Sequence, residues 1–214
     1  METGRLPNTV HTSRPWRIRE IAGDFKLEDV WGLPASGTAE EFDEVVDWLA
    51  SARAGDTDST ATRVLWAVRD LLGKWFGLGR IAAAQESPGR LTIPGTTETS
   101  LAQRLPDDLR GSAAGVAFTS LPFVSLYRTD DEFAAEISNE TVHGVLHLAW
   151  VDQGDGCHQA QMAVYVKPRG LLGTAYMALI KPFRYGIVYP AMLRRVEREW
   201  SARPVPVASG EHLP

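Results

Sequence analysis

The chain has 214 residues, 44% hydrophobic and 23% charged, with 22 Lys+Arg against 27 Asp+Glu for a formal charge of −5. That profile excludes a fibre and a wholly disordered chain, and the missing basic excess argues against nucleic acid as a partner. The single cysteine, Cys157, cannot close an intramolecular disulfide and no Cys/His cluster has zinc spacing, so no metal is expected and a reducing cytoplasm suits the composition.

At this size a folded chain buries roughly 70% of its unfolded surface, enough for one core without staples. A single domain is expected over residues 1–203, with a frayed tail at 204–214. The N-terminal stretch METGRLPNTVHTSRPWRIRE lacks the apolar run of an export signal. The longest uncharged run, Gly111 to Tyr127, is broken by Gly115 and Pro122 and reads as a strand pair with a bend, so no membrane span is expected.

In chain order, WRIREI at Trp16 to Ile21 alternates apolar and charged residues and is read as a first or edge strand. A turn around Gly32 to Gly37 follows. Thr38 and Glu41 have capping-box spacing, and Phe42, Val45, Val46 and Leu49 recur at helical intervals, predicting a helix near 39 to 52. Val64, Leu65, Val68, Leu71, Leu72 and Trp75 predict a second amphipathic helix over Thr60 to Phe76, ending at Gly77 and Gly79. The Pro- and Gly-rich stretch 86–115 reads as a long connection with one helical turn at Ser100 to Leu105, either a lid or a plain surface excursion.

From Val116 the texture becomes β: VAFTSLPFVSLY, EFAAEIS, TVHGVLHLAWV and HQAQMAVYVK, separated by polar turns at Asn139-Glu140 and Gln153 to Gly156. Helical periodicity then runs from Leu172 to Trp200, with kinks expected at Pro182 and Pro190. Strand, two helices, antiparallel strands and one long terminal helix together specify an α+β fold of helix-grip type. In it a curved antiparallel sheet is covered by the C-terminal helix, with room for a cavity between them.

The stretches PWRIREIAGDFKLEDVWGLP, SLAQRLPDDLR, EISNETVHGVLHLAWV and YMALIKPFRYGIVYPAMLRRVEREW resemble the bacterial DUF2867 family, a domain of unknown function. The resemblance runs from about Leu6 to Trp200. The family is similar to the START/Bet v 1-like (SRPBCC) group of lipid carriers, hormone binders and polyketide cyclases. The resemblance therefore implies an apolar cavity for a small molecule, and it supplies no catalytic motif. Members of the family are also found joined to short-chain dehydrogenase-like domains. GLGRIAAA at Gly77 lacks the third glycine and follows a predicted helix, so no nicotinamide cofactor is expected.

A tight turn at Asn139-Glu140 would pair Ser138 with Thr141, Glu136 with His143, Ala134 with Val145 and Glu132 with His147. A second hairpin pivoting about Gly154 would set Tyr165 opposite His143 and Gln161 opposite His147. One face then carries two Glu–His pairs, and the other carries Phe133, Ile137, Val142, Leu146, Leu148, Trp150, Met162, Val164 and Val166.

A carboxylate beside an imidazole makes Glu136 and His143 the sharpest acid/base candidates. The plainer alternative leaves this face in solvent, its Glu–His contacts serving only as cross-strand pairs. His143 and His147 sit roughly 13 Å apart along one strand, too far to share a metal ion. Arg184, beside Phe183 on the terminal helix, could polarise a carboxylate or enolate, or could simply reach to water. Phe133, Leu146, Leu148, Trp150, Met162, Val164, Tyr176, Phe183 and Tyr189 are the candidate ligand-binding residues.

Three functions compete. The first is a cofactor-independent cyclase or isomerase acting on a polyketide-like or terpenoid-like molecule. The second is a carrier of a small hydrophobic molecule, and the third is a structural partner of a dehydrogenase. A homodimer is compatible with any of them.

Overall fold

The computed structural model describes residues 2–51, 100–119, 121, 123–138 and 141–203. The helix expected over 60–76, the glycines at 77 and 79, the first part of the 86–115 connection, the 139–140 turn and the 204–214 tail lie outside the described residues. Those described form an α+β fold around a six-stranded, wholly antiparallel sheet. Strand β1 is Gly4–Leu6, β2 Lys26–Gly37, β3 Val124–Arg128, β4 Glu132–Ser138, β5 Val142–Gly154 and β6 Cys157–Pro168. Their order across the sheet is β1-β2-β6-β5-β4-β3, so the first long strand lies beside the last and closes the meander.

A short helix α1 (Asn8–Thr12) comes first, and a second, α2 (Ile18–Ile21), replaces the strand expected at Trp16 to Ile21. The alternation there is too short to specify a strand, whereas Ile18 and Ile21, three apart, share one helical side and are both buried. The expected turn at Gly32 to Gly37 is likewise the second half of β2. A register shift between Gly32 and Ser36 takes up Pro34, which has no N–H to give a ladder. Gly32 is required because a Cβ there would collide with the backbone carbonyl of Glu2 on the chain beside it.

The predicted capping box is formed: Glu41 accepts from the Thr38 N–H, and a 3-10 turn, Ala39–Glu41, leads into α3 (Phe42–Ser51). A second 3-10 turn, Leu101–Arg104, stands where one helical turn was expected. Among the described residues of Gly111 to Tyr127 only those of Val124–Arg128 contribute to a strand, and residues 111–115 form turns. The terminal helical run comprises α4 (Gly170–Phe183), a five-residue π turn (Arg184–Val188) and α5 (Tyr189–Ser201). The irregular turn lies between Pro182 and Pro190; Pro190 has no N–H to donate one turn back, to Gly186.

Both hairpin registers differ from expectation by two residues. Ser138 stands opposite His143, Glu136 opposite Val145 and Glu132 opposite Ala149. Tyr165 stands opposite Val145 and Gln161 opposite Ala149. The β5–β6 turn centres on Asp155-Gly156 rather than Gly154, and both residues have positive φ (53° and 74°), as two-residue hairpin loops of this hand require. A shift of two keeps every side chain on its predicted face, whereas a shift of one would have inverted the sheet.

Both faces are covered. On the first, Ala134, Val145, Ala149, Ala163 and Tyr165 pack beneath Trp16, Ile18, Ile21, Phe25, Leu101, Leu105 and Leu109. On the second, Trp31, Leu33, Phe133, Leu146, Leu148, Trp150 and Met162 pack against Phe42, Val45 and Val46 of α3 and Tyr189, Val196 and Trp200 of α5. Trp200 Nε1 donates to the Ser36 carbonyl at 2.9 Å, and Trp48 Nε1 to Glu199 at 2.7 Å, tying α5 to β2 and α3.

Candidate functional site

Two clusters of buried polar side chains lie on opposite faces of the sheet. The first is built on β4 and β5. His143 Nε2 is 2.8 Å from Glu136 Oε2, and His147 Nε2 is 3.0 Å from Glu132 Oε2. The two Glu–His pairs are therefore real, but they run diagonally between strands instead of straight across. Glu136 also accepts the Ser100 hydroxyl and the Leu101 N–H (3.0 Å), so the turn at Leu101–Arg104 is pinned to it. Glu132 accepts the Tyr127 hydroxyl (2.9 Å) and the Arg17 N–H (3.0 Å).

This face is not in solvent, as the plainer expectation had it: Glu132, Glu136, His143 and His147 are all buried under the N-terminal segment and the turns at 101–109. The expectation failed because the sequence of that cover, polar in its first twenty residues, does not advertise a sheet-covering role. Burial works against the ionised form of Glu132. The hydrogen bond and charge of His147, with the Arg17 N–H and the Tyr127 hydroxyl, still hold it below the ordinary carboxylate range. Tyr127 is correspondingly pushed far up, first by burial and then by the Glu132 charge.

His11, from α1, completes this cluster and had no signal in the sequence. Its Nδ1 donates to Gln161 Oε1 at 2.8 Å and its Nε2 accepts the Tyr165 hydroxyl at 3.0 Å. Burial, and then the neighbouring His147 at 5.0 Å between ring centroids, lower its pKa to about 4, so it is a neutral imidazole at pH 7. Burial pushes Tyr165 up to about 12. His147 Nδ1 is buried and has no hydrogen-bond partner among the described residues.

The second cluster joins β2 to the π turn. Asp29, fully buried, accepts from Arg184 Nη2 at 2.9 Å, the Tyr189 hydroxyl at 2.9 Å and Trp31 Nε1 at 3.2 Å. Arg184 Nε also donates to the Tyr189 oxygen at 3.1 Å. The widened turn stacks residues five apart, which is how Arg184 and Tyr189 come to share one acceptor. Trp31, Tyr185 and Tyr189 form an aromatic wall, with ring centroids 4.4 Å apart for Trp31 and Tyr189. Tyr189 is raised well above the ordinary phenol range, chiefly by burial, and Arg184 stays charged beside Asp29 and Tyr189.

Of the three residues expected to act together, Glu136 and His143 meet, whereas Arg184 is on the other side of the sheet. Alternate residues of β4 and β5 face opposite ways, and the terminal helix covers only the second face. Phe133, Leu146, Leu148, Trp150, Met162 and Tyr189 all belong to the buried second-face layer and Val164 packs against it, while Tyr176 and Phe183 on α4 are half-buried. Asp29 and Trp31 were overlooked; an acid directly beside the apolar residues Val30, Trp31 and Leu33 of β2 was their available signal. Ser100 was legible only as the start of a helical turn.

Among the described residues no group of three or more His, Cys, Asp or Glu side chains could hold a metal ion. No curated protein and no solved structure matches the chain. A family model described as a protein of unknown function, DUF2867, matches residues 21–191, a span that takes in Asp29, both Glu–His pairs and the π turn. The chain belongs to the DUF2867 family.

Proposed function

We propose that this protein holds a small apolar molecule between the second face of the sheet and the terminal helix, and acts on it as a cofactor-independent cyclase or isomerase. The observation that carries this reading is the Asp29–Arg184–Tyr189 cluster, a convergent polar group set in an aromatic and aliphatic layer at a π turn, the composition of small-molecule sites. The strand order, with the first long strand beside the last and a helix closing the chain, supports a helix-grip fold. That topology in turn favours kinship with the START/Bet v 1-like (SRPBCC) group and a polyketide-like or terpenoid-like substrate.

In this reading the Arg184 guanidinium and the Tyr189 hydroxyl, swung from Asp29 to the substrate, polarise a substrate carbonyl, and the Asp29 carboxylate so released takes the α-proton and returns it to the rearranged carbon. Tyr189 is a protonated donor at neutral pH, as an ordinary phenol is, and burial raises its pKa further. Before substrate binds Asp29 keeps Arg184 in place, and the apolar wall orients the chain of the substrate. His143 and Glu136 do not touch a molecule bound there; they clamp the opposite face to its cover.

A non-catalytic carrier is the second reading, favoured by the fact that Asp29 already accepts from Arg184, Tyr189 and Trp31. A panel of polyketide-like and terpenoid-like ketones, assayed for binding and turnover, separates the two. The enzyme reading expects Tyr189→Phe to keep binding and lose turnover by roughly 10²–10³-fold. Binding without turnover in the unaltered protein establishes the carrier, and absence of binding overturns both, leaving an interaction domain.

A further inference from the structure

We propose that α4 docks this protein on the surface of an anionic lipid membrane. The helix buries only Gly173, where a Cβ would collide with the Thr141 carbonyl, and leaves Leu171 91%, Leu172 62% and Leu179 48% exposed. At helical spacing these leucines fall on one side with Ala175 and Ala178, also exposed, and Lys181 stands at the edge of that stripe. A contiguous exposed apolar stripe on a water-facing helix marks an interaction surface.

Charge identifies the occupant. In a chain of net charge −5, residues 156–196 contain no Asp or Glu and six cations, of which Lys167, Arg184 and Arg195 pair with Asp24, Asp29 and Glu199. Where α4 meets the π turn, the Arg5 guanidinium lies 4.6 Å and the Lys181 ammonium 5.7 Å from the Tyr185 ring centroid. Neither cation makes an ion pair with a described residue. Leucines on one side and cations beside them are the make-up of a helix lying in a lipid interface, where Leu sinks below the headgroups and Lys and Arg meet phosphate. No helix among the described residues is long and apolar enough to cross a membrane, and a 14-residue helix is shorter than the ~20 residues a span needs, so α4 lies along the surface.

The test is cosedimentation of the full chain with vesicles of phosphatidylcholine alone and of phosphatidylcholine with phosphatidylserine. The expected result is binding that needs phosphatidylserine and weakens with salt. It should fall by roughly tenfold per leucine in the double variant Leu171→Ser, Leu172→Ser. Both side chains are solvent-exposed, so circular dichroism should show an unchanged fold. Lys181→Glu supplies a second arm that removes charge and leaves the stripe intact, and it should also weaken binding. No binding to the anionic vesicles, or binding equal in the leucine variant, overturns the proposal. A lipid-free dimer in sedimentation equilibrium that the leucine substitutions dissociate overturns it as well, by assigning the stripe to a second copy.

Discussion

On the first face of the sheet the buried ionisable side chains come from neighbouring strands: Glu132, Glu136, His143 and His147 all lie on the β4–β5 hairpin, and their pairings follow once it forms. On the second face the charges come from the two ends of the fold, with Asp29 and Arg184 155 residues apart. The first cluster is sealed, whereas Arg184 keeps 13% of its side chain exposed. The difference separates two uses of buried charge. A hairpin pair with every donor directed inward anchors a cover to a sheet, while a long-range pair at the edge of an aromatic layer exists only when the terminal helix docks and still has one side toward the surroundings.

The largest test of that contrast is to strand each cluster in turn. Glu136→Leu removes the acceptor for His143, Ser100 and the Leu101 N–H in a fully buried setting and should cost about 3–5 kcal/mol, read from urea midpoints. Asp29→Leu should cost less, about 2–3 kcal/mol, because the released Arg184 can turn toward water. The opposite order would assign the anchoring role to the second face.

Acid should distinguish the faces next. His11 has a folded pKa of about 4 against an ordinary 6.5, so between these values the unfolded chain binds the extra proton and stability rises with pH. Lowering the pH from 6.5 to 4 should therefore remove up to about 3 kcal/mol, and His11→Gln should flatten that slope in pH-dependent denaturation. Glu132, held below its ordinary value, contributes stability that fades at still lower pH, toward its folded pKa. The Asp29–Arg184–Tyr189 cluster holds no imidazole.

Smaller effects sharpen the comparison. Tyr165→Phe leaves His11 Nε2 without its donor and Tyr189→Phe removes one of three donors to Asp29, each at about 1–2 kcal/mol. The first should raise protease cleavage in the segment 8–25, while the second should change the near-ultraviolet dichroism of the Trp31–Tyr189 stack and leave that segment protected. Thr38→Ala, which removes the side-chain half of the capping box before α3, should cost about 1 kcal/mol in thermal unfolding.

The capping box at Thr38 and Glu41, the meander from Glu132 to Pro168 and the long terminal helix were legible because each is a local pattern with a definite period. The Glu–His pairs were legible for the same reason, and they survived a two-residue error in register because side chains repeat every second residue. The 26–37 strand was not, since Gly32, Pro34 and Gly37 imitate a turn while serving a close backbone approach and a bulge. WRIREI was misread because two repeats of alternation also fit one helical turn.

The sequence by itself determined which residues share a side of each element, since that parity depends only on backbone geometry along one segment. Only the tertiary structure decided what lies over each side: an N-terminal segment over the Glu–His face, and a π turn that brings Arg184 and Tyr189 to Asp29. Contacts between residues more than a hundred positions apart depend on how layers stack, and stacking is set by the summed burial of many side chains rather than by any short pattern.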